Sequence, residues 1–139
     1  MAALQKGHLI RERATTTTRA FPVAAATVCW EGGMVALSGS GANAVATPGA
    51  ANNALKIVGM AEGNADNRLG VAGDKKVKTK IGTFLLDNDP SDPIAIGDVG
   101  AACYASDDHT VAKTSNSGAK PQAGTIFDVE SSGVWVKFA

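Results

Sequence analysis

Aromatic side chains are scarce in this 139-residue chain: one tyrosine, two tryptophans and four phenylalanines make up 5% of it. Hydrophobic residues reach 45%, but many are alanine, and there are 16 glycines, so a thin core of small side chains is expected. A thin core leaves an isolated subunit modestly stable, and association with copies of itself or with a larger surface follows as an expectation. Net charge is lacking as well. Thirteen basic and thirteen acidic residues cancel, so the chain as a whole has no electrostatic pull toward nucleic acid or an anionic membrane. No apolar run approaches the roughly 20 residues of a membrane span, and the first residues show no charged-then-apolar signal pattern; synthesis and residence in the cytoplasm are expected.

Reactive side chains are few. The two histidines, His8 and His109, are far apart in sequence, a poor inventory for general acid–base work, and no catalytic residue, cofactor or metal is assigned. Cys29 and Cys103 fit no metal or redox spacing and each sits in an apolar stretch, so both read as small buried hydrophobes, a disulfide between them being the alternative. No phosphate-binding loop string occurs, and Gly70-Val71-Ala72-Gly73 runs into Asp74, which would repel a phosphate.

Two segments come near a motif and miss it. Ser106-Asp107-Asp108-His109 holds the residue types of a catalytic triad, but neighbours along a tight turn do not converge inward as residues from separate elements do; a solvated hairpin turn is expected. Asp87, Asp89, Ser91 and Asp98 stand at calcium-loop spacings, yet Asp92 occupies the place where the sharp bend needs glycine, and Pro90 and Pro93 stiffen the path. An Asp-Pro turn between strands is the simpler account.

What the chain does contain is organised as an arm and a body. Residues 1–20 lack apolar periodicity and include four consecutive threonines; Lys6, Arg11, Arg13 and Arg19 against Glu12 give this arm an excess of three positive charges, and residues 21–139 the opposite excess. In the body, short runs rich in valine, isoleucine and threonine recur between glycine-rich breaks. Strands are predicted at 23–30, 34–38, 55–61, 76–86, 99–105, 110–112, 124–130 and 134–138, with a long loop at 38–54 and one short helix near 50–56. This spacing suits an all-β domain, a small antiparallel β-sandwich or barrel carrying an extended N-terminal arm.

Two strands carry surface signals. Lys76, Lys78 and Lys80 alternate with Val77, Thr79 and Ile81, which sets three lysines on one face: a solvated face or charged edge, or a contact with an acidic protein surface. Without interleaved aromatics the stripe does not read as a nucleic-acid surface. In the last strand Val134, Val136 and Phe138 share the core face, leaving Trp135 opposite, where a second sheet or another subunit would cover it.

Residues 55–139 resemble the decoration or structural cement proteins of tailed phages. The similarity rests on the run from Leu55 to Ala61, then Gly97, Asp98, Tyr104, Asp107, Asp108, Thr110 and Val111 of one hairpin, and Ala123, Gly124, Gly133, Val134 and Trp135 of the ending. The resemblance implies a compact β-domain, a homo-trimer at local threefold positions, bound to the major capsid protein on the outer capsid surface of the virion and stabilising it. It implies no catalytic residue. Contacts to the capsid or between subunits are then expected from Lys6, Arg11, Arg13, Arg19, Lys76, Lys78, Lys80 and Trp135. The alternative is a β-sandwich adhesion or ligand-binding module, head-fibre-like or carbohydrate-binding, for which Trp30, Tyr104 and Trp135 would have to form a concave aromatic cluster.

Overall fold

A computed structural model describes Gln5 and residues 17–139. The chain is all-β, as its periodicity predicts, and its strands fall into two lobes. The first holds β1 (Thr18–Pro22), β2 (Thr27–Cys29), β3 (Met34–Ser38), β4 (Val45–Pro48), β5 (Lys56–Ala61), β6 (Ala65–Asn67) and β7 (Lys76–Lys80). The second holds β8 (Gly82–Asn88), β9 (Ala102–Ala105), β10 (Thr110–Ala112), β11 (Gln122–Glu130) and β12 (Gly133–Phe138).

The first lobe is an antiparallel sheet in the order β1-β7-β5-β3-β4, curled until Val23, just past β1, bridges Ala46 of β4. Val23, Val35, Ala46, Ala61 and Val77 fill its interior, together with Cys29 and Ala65 of the β2–β6 ribbon. The second lobe is a closed barrel in the order β10-β8-β12-β11-β9; only β8 and β10 pair in parallel. Leu86, Cys103, Val111, Ile126, Val134, Val136 and Phe138 pack within it.

Strand alternation joins the two cores. Met34 and Val35 are consecutive in β3 and point to opposite faces, so Val35 enters the first interior while Met34, with Met60 of β5, packs on the barrel cluster. The β9–β10 turn fastens the same junction: the Met34 N–H donates to the Asp108 carbonyl at 2.6 Å, while the Asp87 N–H, donating to the His109 carbonyl at 2.9 Å, ties the turn to β8 of its own barrel.

Several boundaries differ from the sequence reading. The strand expected at 76–86 is two strands in different lobes, because the chain turns at Gly82, whose φ of +150° disfavours any other residue. Residues 18–20, read as arm, form the start of β1, held by pairing of Thr18 with Lys80 and Ala20 with Lys78. The stretch at 23–30 is strand only at Thr27–Cys29. The long loop contains β4, and the turn after β5 contains β6. No helix forms at 50–56; the segment turns through the Leu55 N–H bond to the Asn52 carbonyl.

Candidate docking surface

The near-motifs resolve into structural clamps. Asp107, Asp108 and His109 do converge, but on the surface: His109 Nδ1 lies 2.8 Å from Asp108 Oδ1 and 3.2 Å from Asp107 Oδ1, with Asp87 at 3.8 Å from Nε2. The hydrogen bond to Asp108 leads the causes that raise the imidazole pKa, with the charges of Asp107, Asp108 and Asp87 adding to it. Ser106 turns elsewhere. Its hydroxyl donates to Asp89 at 2.7 Å and accepts from Lys120 at 3.1 Å, while Lys120 and Asp89 approach to 3.5 Å with both side chains largely buried. An ammonium paired with a carboxylate is no base for that serine.

The carboxylates at calcium-loop spacing serve protein donors in separate directions. Asp89 accepts from Ser106 and from the Ser91 N–H, Asp98 from the Ala95 N–H, and Asp87 faces His109. Asp92, where glycine was required, accepts both the Thr114 N–H at 2.9 Å and its hydroxyl at 2.6 Å. These bonds hold Asp89 and Asp92 below the ordinary carboxylate range, Ser106 and Thr114 respectively contributing most. Cys29 and Cys103 are free and buried, one in each core, and burial pushes each thiol up to about 11.

The lysine stripe has the predicted face but not the edge position. Lys76, Lys78 and Lys80 are exposed while Val77 and Thr79 are buried, and β7 lies between β1 and β5. Lys78 faces Glu62 at 3.8 Å; Lys76 and Lys80 make no ion pair among the described residues. Arg19, on neighbouring β1, donates to the Val58 carbonyl at 3.0 Å and stacks 5.3 Å from the Phe21 ring centre. Lys6, Arg11 and Arg13 lie outside the described residues.

Trp135 stands on the barrel exterior, half-buried, with Leu85 of β8 and Asp128 of β11 as its cross-strand neighbours. A bulge in β11 places Phe127 and Asp128 both outward before Val129 turns back toward the core. Thr83, Phe127, Asp128, Glu130 and Trp135 thereby line a shallow cleft of about 410 Å³. Phe127 is 63% exposed and Leu85 41%. Trp30, by contrast, belongs to the first lobe, where Arg68 stacks 5.6 Å from its ring centre, and Tyr104 pairs with Gln122 at the far end of β11; the three do not form one concave cluster.

A second apolar feature is the loop between β6 and β7, which fully exposes Leu69 and largely exposes Val71. Buried Asn67 anchors it, its Nδ2 donating to the carbonyls of Val23, Ala24 and Val71 at 3.2, 3.0 and 2.9 Å. The Val71 N–H donates to Asp74 at 3.0 Å and the Gly73 N–H to the Val23 carbonyl at 2.9 Å. An open depression of about 710 Å³ lies along this loop. Sequence reasoning passed over Leu69, Val71, Leu85 and Phe127; an apolar pair inside a turn, Leu69-Gly70-Val71, was the available signal. No family model matches the chain, and comparison with curated proteins and with solved structures returns no match either.

Proposed function

We propose that this protein acts by surface complementarity, as a cement or decoration protein that binds the major capsid protein on the outside of an assembled tailed-phage head, as a trimer at local threefold positions, and stabilises the shell. One observation carries the reading most: β1 pairs along β7, so the basic N-terminal sequence enters the fold beside Lys76, Lys78 and Lys80. The three exposed lysines of β7 make a positive surface on a chain that is neutral overall, suited to an acidic face of a capsid subunit. Apolar side chains displayed on ordered strands and turns support the same reading, since they contribute free energy only when a partner covers them.

A protein that binds the assembled shell and not its dissociated subunits adds RT ln(1 + [L]/Kd) per site, about 2.7 kcal/mol at a hundredfold excess over Kd. Undecorated capsids should therefore release DNA at a higher temperature once the protein is added. Replacing Lys76, Lys78 and Lys80 together by glutamate should weaken attachment and flatten its salt dependence. If saturating protein leaves the release temperature unchanged, the reading is wrong.

A further inference from the structure

We propose that copies of this chain associate head to tail, the Leu69–Val71 knob of one copy seated in the Phe127–Trp135 cleft of the next. Both features are large, apolar and uncovered in the isolated chain, and they belong to different lobes, the knob to the β6–β7 loop and the cleft to the barrel wall. Their charges are opposite. Leu69 and Val71 are exposed on the loop, and Lys75 and Lys76 come four and five residues after Val71; Asp128 and Glu130 line the cleft. Asp66 and Arg68 neutralise each other beside the knob, and Asp74, bonded to the Val71 N–H, offsets one of the two lysines, which leaves the loop a net positive charge of one. Asp128 and Glu130 are in no ion pair among the described residues: Asp128 accepts from the Val129 N–H and Glu130 from Ser132.

The knob is also pre-ordered. The Asn67 clamp, the Asp74 bond and the Gly73 bond fix the loop before contact, so little conformational freedom is lost when Leu69 is covered. Aromatic side chains beside an aliphatic anchor are the composition of an interface centre, and Asp128 and Glu130 in the cleft add a charge that the lysines after the knob can meet. Because knob and cleft are different surfaces, the contact is heterologous; repeated, it gives a ring where the rotation closes and a filament where it does not. This inference rests on the self-association part of the proposed function and is independent of capsid binding.

Sedimentation of the purified chain tests it. The wild type should associate at tens of micromolar, while Leu69→Asp and Trp135→Ala should each sediment near the 14.0 kDa monomer, a loss of about thirtyfold or more in association, the size of a hot-spot truncation. Mixing the two variants is the decisive arm: the first retains a cleft and the second a knob, so an equimolar mixture should form a dimer that grows no further. Phe127→Ser serves in place of Trp135→Ala if that variant fails to fold. A monomeric wild type overturns self-association of the free chain altogether. Association unchanged in the single variants, or single variants that are monomeric alone and remain so when mixed, overturns the knob-and-cleft contact.

Discussion

Asn67→Asp replaces one NH2 group by oxygen at a site where the protein uses that group as a donor only. Asn67 is 2% exposed, its Nδ2 serves three backbone carbonyls, and its Oδ1 has no partner among the described residues. The carboxylate removes both donor hydrogens and turns a negative oxygen toward the carbonyls of Val23, Ala24 and Val71. A lost buried hydrogen bond costs about 1 kcal/mol net, and a carbonyl left unsatisfied about 1–3 kcal/mol. Adding the cost of a buried charge, the variant should lose about 3–5 kcal/mol near pH 7, a large share of the roughly 5–15 kcal/mol available to a domain. Burial and the facing carbonyls raise the folded-state pKa of the new carboxyl above its unfolded value of about 3.9. A raised folded pKa makes the protonated form the stable one, so the deficit should shrink as the pH falls toward 4 and grow as it rises through the folded pKa. Protonation also restores one donor hydrogen. The wild type has its own acid sensitivity through Asp89 and Asp92, so the readout is the difference between variant and wild type at each pH, from urea unfolding followed by tryptophan fluorescence and circular dichroism. A deficit below about 1 kcal/mol, or one that does not change between pH 4 and pH 7, would refute the clamp as the anchor of the β6–β7 loop.

The imidazole of His109 should titrate above its ordinary range, since Asp108, Asp107 and Asp87 favour the cation; the stability it lends is present at low pH and fades as the pH rises through the raised value, so the melting-temperature gap between wild type and His109→Gln should close on going from pH 6 to pH 9, and a gap independent of pH or of salt contradicts this. Gly133→Ala should lower the urea midpoint sharply without altering the association of folded molecules, because φ there is +148° and a Cβ would meet the Leu86 carbonyl across the β8–β12 pairing; an unchanged midpoint would show that the barrel seam yields.

Period-two alternation made much of the sheet legible in sequence. Residues 34–38 and 110–112 were read to the residue, and the last strand misses only Gly133. The last strand alternates apolar and outward residues, while 34–38 is a short continuous apolar run bounded by glycines, the mark of a strand covered on both faces. The misreadings have local causes. Residues 76–86 look continuous because Ile81 keeps the alternation through Gly82, while the backbone turns there from one lobe to the other. β4 was hidden in alanine, threonine and proline; Pro48 is tolerated because β4 ends the sheet order, with only β3 as its full ladder partner. The lysine stripe and the outward face of Trp135 followed from the same alternation, but the cleft beside Trp135 did not. The bulge at Phe127 sets two consecutive residues outward, which a strict period of two assigns to opposite faces.

The placement of the aromatic residues is the strongest physical reason to look for function on the surface. Of the seven, only Phe138 is buried; Trp30 and Phe127 are exposed, and Phe21, Phe84, Tyr104 and Trp135 are half-covered. Phe138 and the half-covered Phe84 pack in the barrel core and Phe21 against the first, but both interiors are filled mainly by valine, alanine, methionine, isoleucine, leucine and cysteine. A domain short of aromatic residues would stabilise itself most by burying them, since each can remove 150–250 Å² from water at about 25 cal/mol per Å². Leaving Phe127 63% exposed forgoes a large part of that gain. The bulge beside it adds to the cost, because it interrupts the β11–β12 ladder to turn that ring outward. The same area becomes a source of binding free energy once a partner covers it. Thin cores and displayed aromatics are therefore two sides of one arrangement: side chains that could have stabilised the free chain are left on its surface, where under the proposed function they would stabilise an assembly.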